Sequence, residues 1–192
     1  MMQPIEDAEL TALIARYGPP TQSDVDLGEL RFAPIGQPDR RAEVCMVVQR
    51  PDGTLITAQK RHYPAGVFRL LTGGIAPAES VEQALLREIV EETGLETRVT
   101  RFLALLCYRR GASPPVFATY AFLCEEYAGE LMATDPAEEI VAFRMVTPAE
   151  LRNLAATLEM QADSYGAHVR GSWQAWGRFR ALTHRAVAAI LE

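Results

Sequence analysis

Glu88, Glu91 and Glu92 crowd one short stretch, with Arg87 directly ahead, Glu79 a little earlier and a glycine pair, Gly73-Gly74, before that. Like charges three and four apart on a helix each cost about 0.2–0.5 kcal/mol. Such crowding is tolerated where a cation turns the repulsion into attraction, and an all-oxygen donor set suits hard ions such as Mg²⁺, Mn²⁺ or Ca²⁺. A solvated acidic face would account for an isolated glutamate pair. It leaves the glycine pair, Glu79 and Arg87 without a reason.

A helix must hold these groups. Ser80 suits its N-cap, Gln83 completes a capping box, and Gly94 suits the left-handed position after its end. At about 100° per residue, Leu85, Leu86, Ile89 and Val90 fall on one arc, which should pack into a core. Glu88, Glu91 and Glu92 fall together on roughly the opposite arc, with Arg87 at its border, and should be presented openly.

The run resembles, position for position, the box of the Nudix hydrolases. It reads Gly73, five residues, Glu79, seven residues, Arg87-Glu88, an aliphatic residue, one residue, Glu91-Glu92, one residue, Gly94 and an aliphatic residue. The resemblance implies a metal-dependent hydrolase that cleaves a diphosphate linked to another moiety. It also implies an α/β/α sandwich with a mixed sheet, here with an N-terminal arm and a C-terminal helix. The cofactor it implies is Mg²⁺, with Mn²⁺ as substitute. The implied ligands are Glu79, Glu88, Glu91 and Glu92 with the backbone carbonyl of Thr72; for Glu79 a surface glutamate favoured by the helix dipole is an equal alternative. Arg87 would orient a neighbouring glutamate. The general base would be Glu88 of the box or an acid of a later loop, Glu138 or Glu139, which could instead be an extra ligand; two solvated loop acids are the nearly equal alternative. Arg61 stands where such folds place a phosphate-binding cation, and Phe68 where they place an aromatic residue. A surface arginine and a core phenylalanine are the plainer alternatives, and Tyr63, Tyr108 and Phe117 are either stacking platforms or core.

The implied substrate is a small nucleoside diphosphate derivative, with ADP-ribose or a nucleotide sugar favoured. Hydrolysis of a nucleoside triphosphate or a dinucleoside polyphosphate is the alternative within the class. A nucleotide sensor without turnover is the alternative outside it. An isoprenoid diphosphate isomerase would need a cysteine in the pocket. Two departures from the family pattern stand out: Thr72 before the box glycine, and Ala76-Pro77-Ala78 where relatives often carry an acid and a glycine. By analogy with the ADP-ribose enzymes, the N-terminal arm would pack on a second subunit of a homodimer.

The whole chain agrees with that reading. Its 192 residues suit one domain, 48% are hydrophobic, and a net charge of −6 without a basic stripe argues against nucleic acid as partner. Cys45, Cys107 and Cys124 lie in apolar runs and read as buried free thiols of a reducing cytoplasm rather than a disulfide or zinc framework. No signal segment or membrane-spanning run is evident. Periodicity places a helix over Glu6 to Tyr17 and strands at Glu29 to Ala33, Val44 to Gln49 and Thr54 to Lys60, the last two joined by the turn Pro51-Asp52-Gly53. Further strands follow at Phe68 to Thr72, Arg98 to Tyr108, Val116 to Cys124 and Ile140 to Val146. A helix capped by Thr147, with Pro148 and Glu150, and a last helix from about Trp173 to Leu191 complete the chain. The expected division is an arm over 1–40, a core over 41–151 and a helical extension over 152–192.

Overall fold

Val44-Cys45-Met46-Val47-Val48 is an unbroken apolar run, the pattern of a strand covered on both faces. In the computed structural model it forms β2 (Ala42–Gln49), whose residues alternate between two separate cores. The structure describes residues 7–33, 35, 40 and 42–192, so the expected helix start at Glu6 and core boundary at Arg41 lie outside the described residues.

Around β2 lies a seven-stranded mixed sheet. Its other strands are β1 (Thr21–Asp26), β3 (Leu55–Lys60), β4 (Arg69–Gly74), β5 (Leu95–Arg109), β6 (Phe117–Gly129) and β7 (Ile140–Val146). The order across the sheet is β1-β5-β6-β2-β4-β3-β7. β2 runs parallel to β6, from Ala42 opposite Ala118 to Gln49 opposite Glu125. It runs antiparallel to β4, with Val44 opposite Gly73 and Cys45 opposite Thr72. That second register brings the glycine pair beside the centre of the sheet.

Helices cover both faces. α1 (Asp7–Tyr17) and α2 (Val81–Thr93) place Leu10, Leu13, Leu85 and Ile89 against Val44, Met46 and Phe122. On the opposite face, α3 (Glu150–Glu159) and α4 (Trp173–Leu191) place Leu151, Leu158, Trp176 and Phe179 against Cys45, Val47 and Phe117. The alternation of side chains along β2 divides the two cores, and the molecule is an α/β/α sandwich as the resemblance implied.

Several expectations need correction. Glu29 to Ala33 is turn and irregular chain; the extra strand is β1, an exposed, polar edge paired parallel with β5. Its residues lack the alternation that marks a half-buried strand. The turn at Pro51-Asp52-Gly53 forms, with Arg50 N donating to Thr54 O at 2.8 Å. The expected β2–β3 hairpin nevertheless amounts to the pair Gln49–Leu55, because β3 leaves β2 to lie between β4 and β7. Thr147 and Glu150 exchange the expected box bonds, Thr147 N to Glu150 Oε2 at 2.7 Å and Glu150 N to Thr147 Oγ1 at 3.4 Å, although the helix proper starts at Glu150. Cys45 and Cys124 are buried free thiols, whereas Cys107 is half-buried. A short hairpin, β8 (Tyr165–Gly166) and β9 (Gly171–Ser172), was not foreseen.

Candidate metal centre and cleft

The local sequence folds α2 as its caps require. Ser80 Oγ accepts from Gln83 N at 3.1 Å, Ser80 N donates to Gln83 Oε1 at 2.9 Å, and Gly94 adopts φ 66° while its N–H closes on Val90 O. The expected faces are different. Leu86 and Val90 are 43% and 52% exposed, whereas Glu88 and Glu92 are 6% and 1% exposed. At about 100° per residue, Glu92 falls within about 20° of Leu85 and Glu88 within about 60°. The buried arc therefore centres on the carboxylates and the apolar pair Leu85 and Ile89 together.

What makes room for Glu88 is Gly73. A Cβ at that position would stand 1.9 Å from Glu88 Cδ, so the side chain lies across bare backbone of β4. Arg87 ties the acids together. Its Nε and Nη2 donate to the two oxygens of Glu79 at 2.7 and 2.9 Å. Nη1 donates to Glu88 Oε1 at 2.9 Å and Glu91 Oε2 at 2.8 Å, and Nη2 also reaches Gly74 O at 3.0 Å. The Arg87 hydrogen bonds hold the Glu79 carboxyl below its ordinary range. Burial does the opposite to Glu88 and raises it despite Arg87.

Deeper in, Glu92 faces β3. Its Oε1 is 2.8 Å from Lys60 Nζ, and Lys60 also meets Glu138. The contact with Glu92 is one of charge rather than a directed hydrogen bond, for both Glu92 oxygens are buried without a hydrogen-bond partner. Burial pushes Glu92 up to about 7, against the pull of Lys60 and Arg69. Oxygens of Glu88, Glu91 and Glu138 lie within 4.8 Å of one another. These converging hard oxygens, with both oxygens of the buried Glu92 left without hydrogen-bond partners one helical turn from Glu88, fit a divalent ion. A single ion bound to them would need one carboxylate oxygen from each.

The two loop acids part company. Glu138, in the 3-10 turn Pro136–Glu138, joins the box carboxylates, while Glu139 takes φ 52° and turns to His62, with Oε2 3.2 Å from Nδ1. His62, Glu139 and His168 also approach within 4.8 Å, the two imidazoles stacked at 4.4 Å.

Beside the carboxylates opens a cavity of about 210 Å³, lined among others by Arg40, Lys60, Arg69, Thr72, Trp176 and Arg180. Neither Arg61 nor Phe68 is among its lining residues: Arg61 is exposed, and Phe68 lies with the Arg144 guanidinium 4.9 Å from its ring centre. Tyr108 and Phe117 are core residues, fully buried. Lys60, Arg69, Arg40 and Arg180 escaped the sequence reading. They come from separate segments, and only Lys60, beside the singled-out Arg61, was within reach of a local signal.

The sandwich with a glycine-backed glutamate helix defines a class, and comparison with known proteins names it. The NUDIX domain model matches residues 39–167, and the chain belongs to that family. It is 32% identical over 102 residues to the NAD-capped RNA hydrolase NudC of Photorhabdus laumondii, an alignment covering 51% of this chain and 37% of that protein. It is 28% identical over 129 residues to the CTP pyrophosphohydrolase of Escherichia coli, covering 62% of this chain and 93% of that protein. Among solved structures, the E. coli ORF135 protein matches 63% of this chain and 83% of its own, at 26% identity and a TM-score of 0.46. The chain thus spans little more than a third of the NAD-capped RNA hydrolase NudC that it matches. Among the described residues no helix is long and apolar enough to cross a membrane.

Proposed function

We propose that the protein is a divalent-metal-dependent pyrophosphohydrolase acting on a nucleotide-type diphosphate. The observation that carries this reading is the convergence of Glu88, Glu91 and Glu138 oxygens within 4.8 Å beside a buried Glu92. Glu88, Glu91 and Glu92 would hold the ion, Mg²⁺ by preference and Mn²⁺ as substitute, with Glu138 of the same cluster, Glu79 and the Thr72 carbonyl as further candidates. When bound, the ion neutralises charge on the diphosphate and makes an attacking water more acidic. Arg87 holds the acids in place rather than touching substrate. In the reaction a water oxygen bonds to one phosphorus, the bond from that phosphorus to the bridging oxygen breaks, and the bridging oxygen leaves with the other phosphate. The water proton passes to a carboxylate, for which Glu88 and Glu138, both members of the cluster, are the candidates; Glu139, engaged with His62, is the weaker one. Segment 41–151 would carry the chemistry, with the arm 1–40 and extension 152–192 completing one domain.

A nucleoside diphosphate derivative, such as ADP-ribose or a nucleotide sugar, is the first substrate reading. A nucleoside triphosphate is the second, supported by the match to the CTP pyrophosphohydrolase, 93% of which is covered by the alignment. The test is a nucleotide panel with and without Mg²⁺, with products identified by mass. Glu88→Gln and Glu92→Gln should each lower kcat by at least about a hundredfold with the fold retained by circular dichroism. Wild-type rates in either variant would refute the site. Saturable nucleotide binding without hydrolysis would show a sensor instead. Glu138→Gln should lose more turnover than Glu139→Gln, and the reverse order would return the base to Glu139.

A further inference from the structure

Among the described residues the charges around the cavity do not balance. Lys60 is matched by Glu92 and Glu138. Arg180 Nη1 donates to Glu43 Oε1 at 2.6 Å, and Arg40 Nη2 stands 3.6 Å from the other oxygen of that same, fully buried carboxylate. Two guanidiniums therefore share one acid. Arg69 has no ion-pair partner among the described residues, Glu92 acting on it only from a distance: it is 5% exposed, and its donors go to neutral acceptors, Nε to Tyr63 Oη at 2.6 Å and Nη1 to Leu70 O and Thr72 Oγ1 at 2.7 and 2.8 Å. Its Nη2 has no hydrogen-bond partner among the described residues, and its side chain lines the cavity. A buried guanidinium without a direct ion-pair partner is costly, and its planar fork matches phosphate oxygens.

The same lining rules out other occupants. A nucleobase wants an aromatic face, yet Tyr63 and Trp176 are buried against each other, with ring centres 5.0 Å apart. A cation gathered by His62 and His168 would face Arg40, Lys60, Arg69 and Arg180 across the same cavity. The walls also connect to the carboxylates: Lys60 touches Glu92, and Thr72 precedes the glycine on which Glu88 lies.

We propose that this cavity receives a phosphoryl group of the substrate additional to the scissile diphosphate. The protein then selects molecules carrying a further terminal phosphate or phosphomonoester over those ending in a neutral sugar or base, which reverses the order of the two substrate readings above and puts a nucleoside triphosphate ahead of unmodified ADP-ribose or a nucleotide sugar. The substrate part of this inference rests on the pyrophosphohydrolase reading; the binding part does not.

Calorimetric titration with inorganic phosphate in EDTA, where no divalent ion serves the carboxylates, tests the cavity alone. Saturable binding is expected, weakened about tenfold or more in Arg69→Gln and in the more exposed Arg40→Gln, and kept in Glu88→Gln. A silent wild-type titration, or unchanged binding in every folded arginine variant, overturns the proposal. With Mg²⁺, kcat/KM is then compared for a nucleoside triphosphate against its diphosphate, and for 2′-phosphorylated ADP-ribose against ADP-ribose. A preference of about tenfold in the first pair identifies a terminal phosphate, and in the second a phosphomonoester; no preference in either overturns the selectivity. Absence of hydrolysis throughout would sink the pyrophosphohydrolase reading, while the EDTA titration would still decide the cavity.

Discussion

Gly73 has no side chain because Glu88 fills the space one would occupy. The conflict is with the outer atoms of a flexible side chain rather than with backbone, so a Gly73→Ala protein should fold and pay in geometry. Its melting temperature should stay within about 2–4 °C of wild type, the shift expected for about 1 kcal/mol in a domain of this size. Turnover should fall about a hundredfold, because a displacement of an ångström in a positioned group carries that penalty. A variant that melts normally and turns over normally would mean that Glu88 works in another rotamer. At this scale the sequence was informative about the box, since its members are close along one helix and their spacing is visible. It was silent about Arg69. A buried arginine in an apolar strand is legible as unusual only once its neighbours, Tyr63 and Thr72, are seen to be neutral.

α2 was readable because its signals are local: Ser80, Gln83 and Gly94 each act within one turn of the helix end they define. Its faces were not, because burial depends on what lies across from the helix, and a glycine strand accepts carboxylates that an apolar strand would reject. β1 was missed for a related reason, as its pairing with β5 joins residues far apart in sequence and leaves no pattern in Thr21 to Asp26. The α3–α4 contact shows how closely such distant elements meet. A Cβ at Gly177 would stand 2.0 Å from the backbone oxygen of Leu158, and backbone cannot rotate away. Gly177→Ala should therefore push the helices apart and destabilise the protein by about 1–3 kcal/mol, measured by urea unfolding. Unchanged stability would show that the pair slides freely.

Across the whole molecule, α4 is joined to the sheet through His184. Its Nε2 accepts from Leu70 N at 2.9 Å and its Nδ1 is 2.8 Å from Arg180 O, an arrangement that requires the neutral ring with its proton on Nδ1. Burial depresses its pKa to about 4. The unfolded chain protonates this ring near the usual 6.5 and the folded chain only near the lower value, so the stabilisation is full above the first and lost as pH falls toward the second. Between pH 7 and pH 5 the loss from this group should be about 2 kcal/mol. His184→Gln should show a correspondingly shallower dependence in urea titrations, and identical slopes would exclude the assignment. The sandwich itself was legible from element order and apolar runs. The cavity was not, because Arg40, Arg69 and Arg180 meet only when the arm, β4 and the last helix are assembled.

β1 has a consequence beyond the cleft. It is the outermost strand on its side of the sheet, and an outermost strand is a template on which foreign chains can polymerise. Asp24 and Asp26 are exposed on it, and a stranger docking there would have to strip water from both. The polarity that hid this strand from the sequence reading thus guards the molecule against clumping.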